Sequence, residues 1–131
     1  MATFKRFEGI QAWQKARLLD QVIFKLTRLP AFSRDFKLVD QWLSASGSIM
    51  DNIAEGFDRE GTREFIQFLS TSKGSTGEVR SQAYRAMDRG YISNEEFSEV
   101  YNKALEIKNI ISKLMDYSKQ SDLKGIKYKS D

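Results

Sequence analysis

Apolar residues recur at intervals of three and four along most of this chain, the spacing of one face of an α-helix. Over residues 11–28 the line runs Ala12, Ala16, Leu19, Ile23 and Leu26, widened by Trp13, Val22 and Leu29. Pro30 stops it, because proline has no N–H for the helical ladder and disfavours helix at the residue before it. A second helix is expected after Ser33 as N-cap, with Asp35 in its first turn. Phe36, Val39, Leu43, Met50 and Ile53 mark its expected core face, and Gly56 its C′ glycine. Another line on the same helix, Leu38, Gln41, Ala45, Ser48, Asn52 and Glu55, is mostly small or polar.

The third helix is expected from Thr62, as N-cap, to about Arg89. Its core stripe is Phe65, Phe68, Leu69, Ser72, Val79, Ala83, Ala86 and Met87. Opposite lie Ser70, Gly74, Gly77 and Ser81. A glycine inside a helix costs up to about 1 kcal/mol against alanine, so this small-residue stripe implies close packing against a further helix. Ser93-Asn94-Glu95-Glu96 is a capping box that opens a fourth helix. That helix carries Phe97, Val100, Ala104, Ile107, Ile111 and Leu114 inward and is expected to fade near Ser118. Together these elements predict an all-α fold, an antiparallel up-down-up-down four-helix bundle. It occupies residues 1–118, with a short arm over 1–8 and a flexible tail over 119–131 that holds Lys119, Lys124, Lys127 and Lys129.

Composition narrows the chemistry. A chain of 131 residues fits one domain. There is no cysteine and no histidine, so thiolate chemistry, disulfides, the commonest general base and the commonest transition-metal ligand are all missing. A di-metal helical bundle of the Glu-x-x-His type is excluded on the same ground. Glu55, Glu78 and Asp51 have no pocket signature beside them, and the expected role of Asn52, Glu55 and Glu78 is to hydrogen-bond helix ends and an arginine, Arg59 or Arg63. Gly74-Ser75-Thr76-Gly77 after Lys73 lacks the spacing and the preceding strand of a phosphate loop. No cofactor or metal is expected. The opening MATFKRFEGI lacks the apolar run of a signal peptide and no stretch is long enough to span a membrane, so the expected compartment is the cytoplasm.

The net charge of +3, with a pI near 9.1, permits a nucleic-acid partner without requiring one. Basic residues gather near the N-terminus (Lys5, Arg6, Lys15, Arg17) and along the third helix and its lead-in (Arg59, Arg63, Lys73, Arg80, Arg85, Arg89), with acidic residues interleaved. Binding through such residues would be to phosphates and would weaken steeply with salt. Tyr84, Tyr91 and Tyr128 offer ring faces for base stacking, although core and interface packing is the expected use of most of the aromatics.

The segments QAWQKA (11–16), LVDQWLSASGSIMDNIAEGFDR (38–59), REFIQFLSTSKGSTGEVRSQ (63–82) and RGYIS (89–93) resemble the four-helix-bundle proteins encoded in intervening sequences of bacterial 23S ribosomal RNA genes. The resemblance spans about residues 7–118, and its specific part is SIxxNIAEG followed by GSxxE. It implies a homopentamer around a central channel. It also implies kinship with the accessory variability protein of diversity-generating retroelements, a pentameric barrel that binds nucleic acid and its reverse transcriptase. Ser48, Asn52, Glu55, Gly56, Gly74, Ser75 and Glu78 match the family motif and are expected to be structural. The resulting expectation is a non-enzymatic, homo-oligomeric protein that binds nucleic acid, structured RNA foremost, with Arg63, Lys73, Arg80 and Arg85 as phosphate contacts. The alternative is a scaffold or accessory subunit for a partner protein.

Overall fold

The computed structural model describes residues 4–128, with side chains to residue 121. Four helices carry the chain: α1 (Gln11–Thr27), α2 (Phe36–Asp58), α3 (Thr62–Asp88) and α4 (Asn94–Tyr128). Single 3₁₀ turns at Phe7–Gly9 and Phe32–Arg34 precede α1 and α2, and no strand occurs among the described residues.

Each helix packs against two others. α1 touches α2 and α4, and α3 touches the same two from the other side. Trp42 Nε1 donates to Val79 O at 3.0 Å, Ser72 Oγ donates to Ile49 O at 2.7 Å, and Gly56 abuts Phe68. Residue numbers thus fall along α3 as they rise along α2. One continuous apolar core results, with Leu19, Ile23, Trp42, Ile49, Ile53, Leu69, Val79, Ile107 and Ile111 fully buried. Ser72 and Trp42 each spend their single side-chain donor across the α2–α3 contact, so neither buried donor is left unmet.

α1 buries the expected line, Ala12, Ala16, Leu19, Ile23 and Leu26. α2 differs. Its buried face is Leu38, Trp42, Ala45, Ser46, Ile49, Ile53 and Gly56, while Phe36 is 77% exposed and Val39, Leu43 and Met50 are half-buried. The apolar residues of α2 occupy a broad arc, and the small ones, Ala45, Ser46 and Gly56, decide which edge a neighbouring helix can approach. The N-cap is Asp35, whose carboxylate accepts from Leu38 N at 3.2 Å, whereas the Ser33 hydroxyl donates to Pro30 O at 2.9 Å. Pro30 draws residues 32–34 into a separate turn, which places the cap two residues later than expected.

Gly56 is not the C′ residue of α2. The helix runs on to Asp58, and Glu60 takes the C′ role at φ 65°, with its N–H on Phe57 O at 3.1 Å. α3 opens with Gly61 as N-cap and Thr62 already helical. It closes in a Schellman motif at Gly90 (φ 74°), where Gly90 N bonds Met87 O and Tyr91 N bonds Ala86 O, both at 2.9 Å. The capping box of α4 forms as expected: Ser93 N reaches Glu96 Oε1 at 2.8 Å and Glu96 N reaches Ser93 Oγ at 3.1 Å. α4 continues to Tyr128 rather than ending near Ser118. Residues 118–124 contain no proline or glycine to stop it, and lysine and leucine are good helix formers. The side chains of Lys124 and Lys127, and all of Lys129, lie outside the described residues.

Candidate functional site

α3 has a different surface on each side. Towards α2 there is an open polar groove. One section, about 520 Å³, is lined by Asp40, Gln41, Ser44, Ser48, Glu78 and Arg85, with Gln82 and Ala45 in its floor. A second section, about 430 Å³, continues past Ser48 to Gly47, Asp51, Asn52 and Glu55. Asp40 and Glu78 share the first section with the Arg85 guanidinium, and Asp51 and Glu55 line the second. Arg85 donates from Nη1 to Gln41 Oε1 at 3.0 Å, which ties it to α2. Gln82 Oε1 is the one buried side-chain polar atom without a hydrogen bond among the described residues.

The polar motif residues meet in this groove. Asn52 Nδ2 reaches Ser48 O at 2.8 Å and Ser48 Oγ at 2.9 Å. The hydroxyls of Ser48 and Ser75 lie 2.9 Å apart, and Ser75 Oγ is 3.3 Å from Thr71 O. The order Asn52 to Ser48 to Ser75 to Thr71 O uses each available proton once. These contacts join α2 to α3 where small side chains let the backbones approach. Glu55 stands apart from the network. It is exposed and bonds Arg59 at 2.8 Å one turn on, and Arg59 also nears Glu64 at 3.7 Å and the Phe68 ring at 5.2 Å. The hydrogen bond from Arg59 to Glu55, and then the charge of Glu55, raise the Arg59 pKa. Glu78 is exposed on the groove wall.

Towards α4 the surface is cationic and aromatic. Arg80 lies 5.7 Å from the Tyr101 ring centre and donates from Nε to Thr76 O at 3.3 Å. Tyr84, Phe97 and Tyr101 form a cluster with centroid separations of 4.7, 5.9 and 5.5 Å. Lys73 sits two turns before Arg80 and shares its helix face. Of the four expected phosphate contacts, the fold therefore brings Lys73 and Arg80 together. Arg85 lies on the opposite flank of α3, in the acidic groove. Arg63 lies at the far end of the helix and already interacts with other residues of the chain.

A third cluster, missed in the sequence, joins three elements at one end. The Asp35 carboxylate caps α2 and accepts from Arg89 Nη1 at 2.8 Å and Tyr91 OH at 2.9 Å. Beneath it Tyr91 stacks on Phe32 at 4.9 Å and Phe32 on Trp42 at 5.6 Å. The Tyr91 hydroxyl, then the Leu38 N–H and Arg89, hold the Asp35 carboxyl below its ordinary value, against an opposing push from partial burial. The same bond to Asp35 raises the Tyr91 phenol. The Arg89-Gly90-Tyr91 turn was the available signal, because a glycine just past a helix fixes where the next side chains return.

No group of three acidic residues able to hold a metal occurs among the described residues, and no helix there is long and apolar enough to cross a membrane. Among solved structures, a protein of unknown function from the S23 ribosomal protein family of Bacteroides thetaiotaomicron is similar in fold. The TM-score is 0.73 at 19% identity, covering 80% of this chain and 95% of that one. No match was found among curated proteins. The model of the 23S rRNA-intervening sequence protein family matches residues 8–113. That span takes in α1, α2, α3, the α4 capping box and both halves of the serine–asparagine motif, so the chain belongs to the 23S rRNA-intervening sequence protein family.

Proposed function

We propose that this protein is a non-enzymatic, homo-oligomeric nucleic-acid-binding protein that holds structured RNA through phosphate contacts. The observation that carries the reading is the pairing of Lys73 and Arg80 on the α4 side of α3, away from the carboxylates of the α2–α3 groove. Cations separated from acids present a net positive field to a polyanion. With no cysteine or histidine in the chain, thiol and imidazole catalysis have no carrier. Arg63 and Arg85 are secondary contacts in this reading, Arg85 the weaker because Asp40 and Glu78 share its groove.

Assembly completes the proposal. The four helices stand as an antiparallel up-down-up-down bundle, and five copies close into a ring, as in the retroelement accessory proteins to which the family is akin. Ser70, Gly74 and Ser81 are exposed in the single chain, and a Cβ at Gly74 would meet nothing within 4 Å. Packing inside one chain thus gives no reason for that glycine, and packing between copies does. A ring of five multiplies the +3 charge to about +15 on one particle. The compartment consistent with this role is the cytoplasm.

The test is fluorescence anisotropy against an RNA stem and a matched DNA duplex over a salt series. Submicromolar RNA binding that falls steeply with salt is expected. The double variant Lys73→Glu, Arg80→Glu should weaken it and flatten the salt slope. Unchanged affinity removes these two residues from the interface. A second reading, a scaffold for a partner protein, draws on the acidic α2–α3 groove, which repels RNA but suits a basic protein segment. A stoichiometric protein partner that survives nuclease treatment would favour it.

A further inference from the structure

The aromatic cluster on the α3–α4 rim has no role in a purely phosphate-binding surface. Tyr84 is 48% exposed, yet it is not a lone surface ring, because it packs on Phe97 and Tyr101 at 4.7 and 5.9 Å. Those contacts fix its plane while leaving part of the ring open. Beside it the Arg80 guanidinium lies against Tyr101, steadied by its bond to Thr76 O. Lys73 lies two turns from Arg80 on α3, and Lys108 two turns from Tyr101 on α4, each on the face its partner occupies. The acids on these stretches point elsewhere. Between Lys73 and Arg80 the only one is Glu78, which lines the α2–α3 groove; between Tyr101 and Lys108 the only one is Glu106, which pairs with Lys15 of α1 at 3.4 Å. Asp88, one turn beyond Tyr84, bounds the rim at that end.

We infer that this rim is a binding surface for single-stranded nucleic acid: an unpaired base stacks on Tyr84, and the adjoining phosphates meet Arg80, Lys73 and Lys108. Every base has a π-face, so a held aromatic ring beside cations takes a single strand with little regard for sequence. A duplex hides its bases in the stack and offers only phosphates to the same surface. The inference rests on the nucleic-acid reading above and sharpens it, placing an unpaired loop or flank of the RNA on this rim.

The full chain is titrated by anisotropy with an unstructured RNA oligonucleotide and with a blunt RNA duplex of the same length. The single strand should bind more tightly. Tyr84→Ala should weaken single-strand binding about tenfold, the loss of one stacked base, with little change for the duplex, and Tyr84→Phe should restore it. Lys73→Glu and Lys108→Glu should weaken both RNAs and lower both salt slopes. Thermal melts confirm that each variant is folded. Equal binding of the two RNAs, with Tyr84→Ala silent and Lys73→Glu still damaging, overturns the stacking inference and leaves the phosphate-binding function standing. No binding of either RNA at low salt overturns both. A fall in particle mass by light scattering for Tyr84→Ala shows the rim to be a contact between copies and also overturns the inference.

Discussion

A methyl group added at Gly56 would stand 2.5 Å from Phe68 Cβ, whereas one added at Gly74 would meet nothing within 4 Å. Both glycines sit inside helices, so alanine would gain up to about 1 kcal/mol of helix propensity at either position. At Gly56 the clash is with the stem of a ring already packed against α2, and the two helices must part. Gly56→Ala is therefore expected to lower stability by about 1–3 kcal/mol, the usual cost of overpacking, read as a lower urea midpoint. Glu60 presents the reverse case. It adopts a left-handed conformation at φ 65° that its side chain disfavours, and Glu60→Gly is expected to raise stability by about 1 kcal/mol. A fall in the midpoint for Glu60→Gly would mean that the glutamate side chain holds the α2–α3 turn through contacts worth more than its strain.

The turn that follows α3 does more than reverse the chain, since it delivers Arg89 and Tyr91 to the carboxylate that caps α2. Folding holds the Asp35 pKa down, so this clasp contributes in full above the ordinary carboxylate value and is lost as pH falls through the lower, folded one. Folding raises the Tyr91 pKa, so its share is present below about 10 and is lost as pH climbs through the folded value. Asp35→Asn keeps a capping side chain but removes the charge, and thermal melts over pH should show a shallower acid limb than for the native chain. This cluster also shows where sequence reading stops. α1 and the α4 capping box were legible because a proline and a local Ser–Glu pair fix their ends. In α2 the periodicity pointed to Phe36, Val39, Leu43, Met50 and Ile53, whereas the buried face turns on Trp42, whose indole donates to the Val79 carbonyl of a different helix. Asp35 lies 54 residues before Arg89 and 56 before Tyr91, and nothing local foretells that they meet. The same holds for the candidate contacts: Arg80 and Arg85 look equivalent in the sequence, yet they fall on opposite flanks of α3 because five residues turn a helix well past a third of a circle.

At the scale of the whole molecule, α3 is the helix around which charge and small residues are sorted onto separate flanks, and each sorting bears on assembly. Carboxylates collect between α2 and α3, cations and rings between α3 and α4, and the small stripe of α3 faces outward between them. A lone chain has no use for Gly74 on that stripe, so as a monomer Gly74→Ala should be more stable by about 0.5–1 kcal/mol. In a ring packed through the stripe the same methyl would push neighbouring backbones apart, and a larger side chain would do so more strongly. Light scattering on the native protein should then give five times the 15.1 kDa chain mass. Gly74→Leu should shift it towards the single-chain mass while circular dichroism stays helical, because the site is open within one chain. RNA affinity should fall with it, since five weakly basic rims act together only when joined. A native protein that scatters as one chain at micromolar concentration, with Gly74→Ala simply more stable, would remove the ring and leave the Lys73–Arg80 rim to act alone.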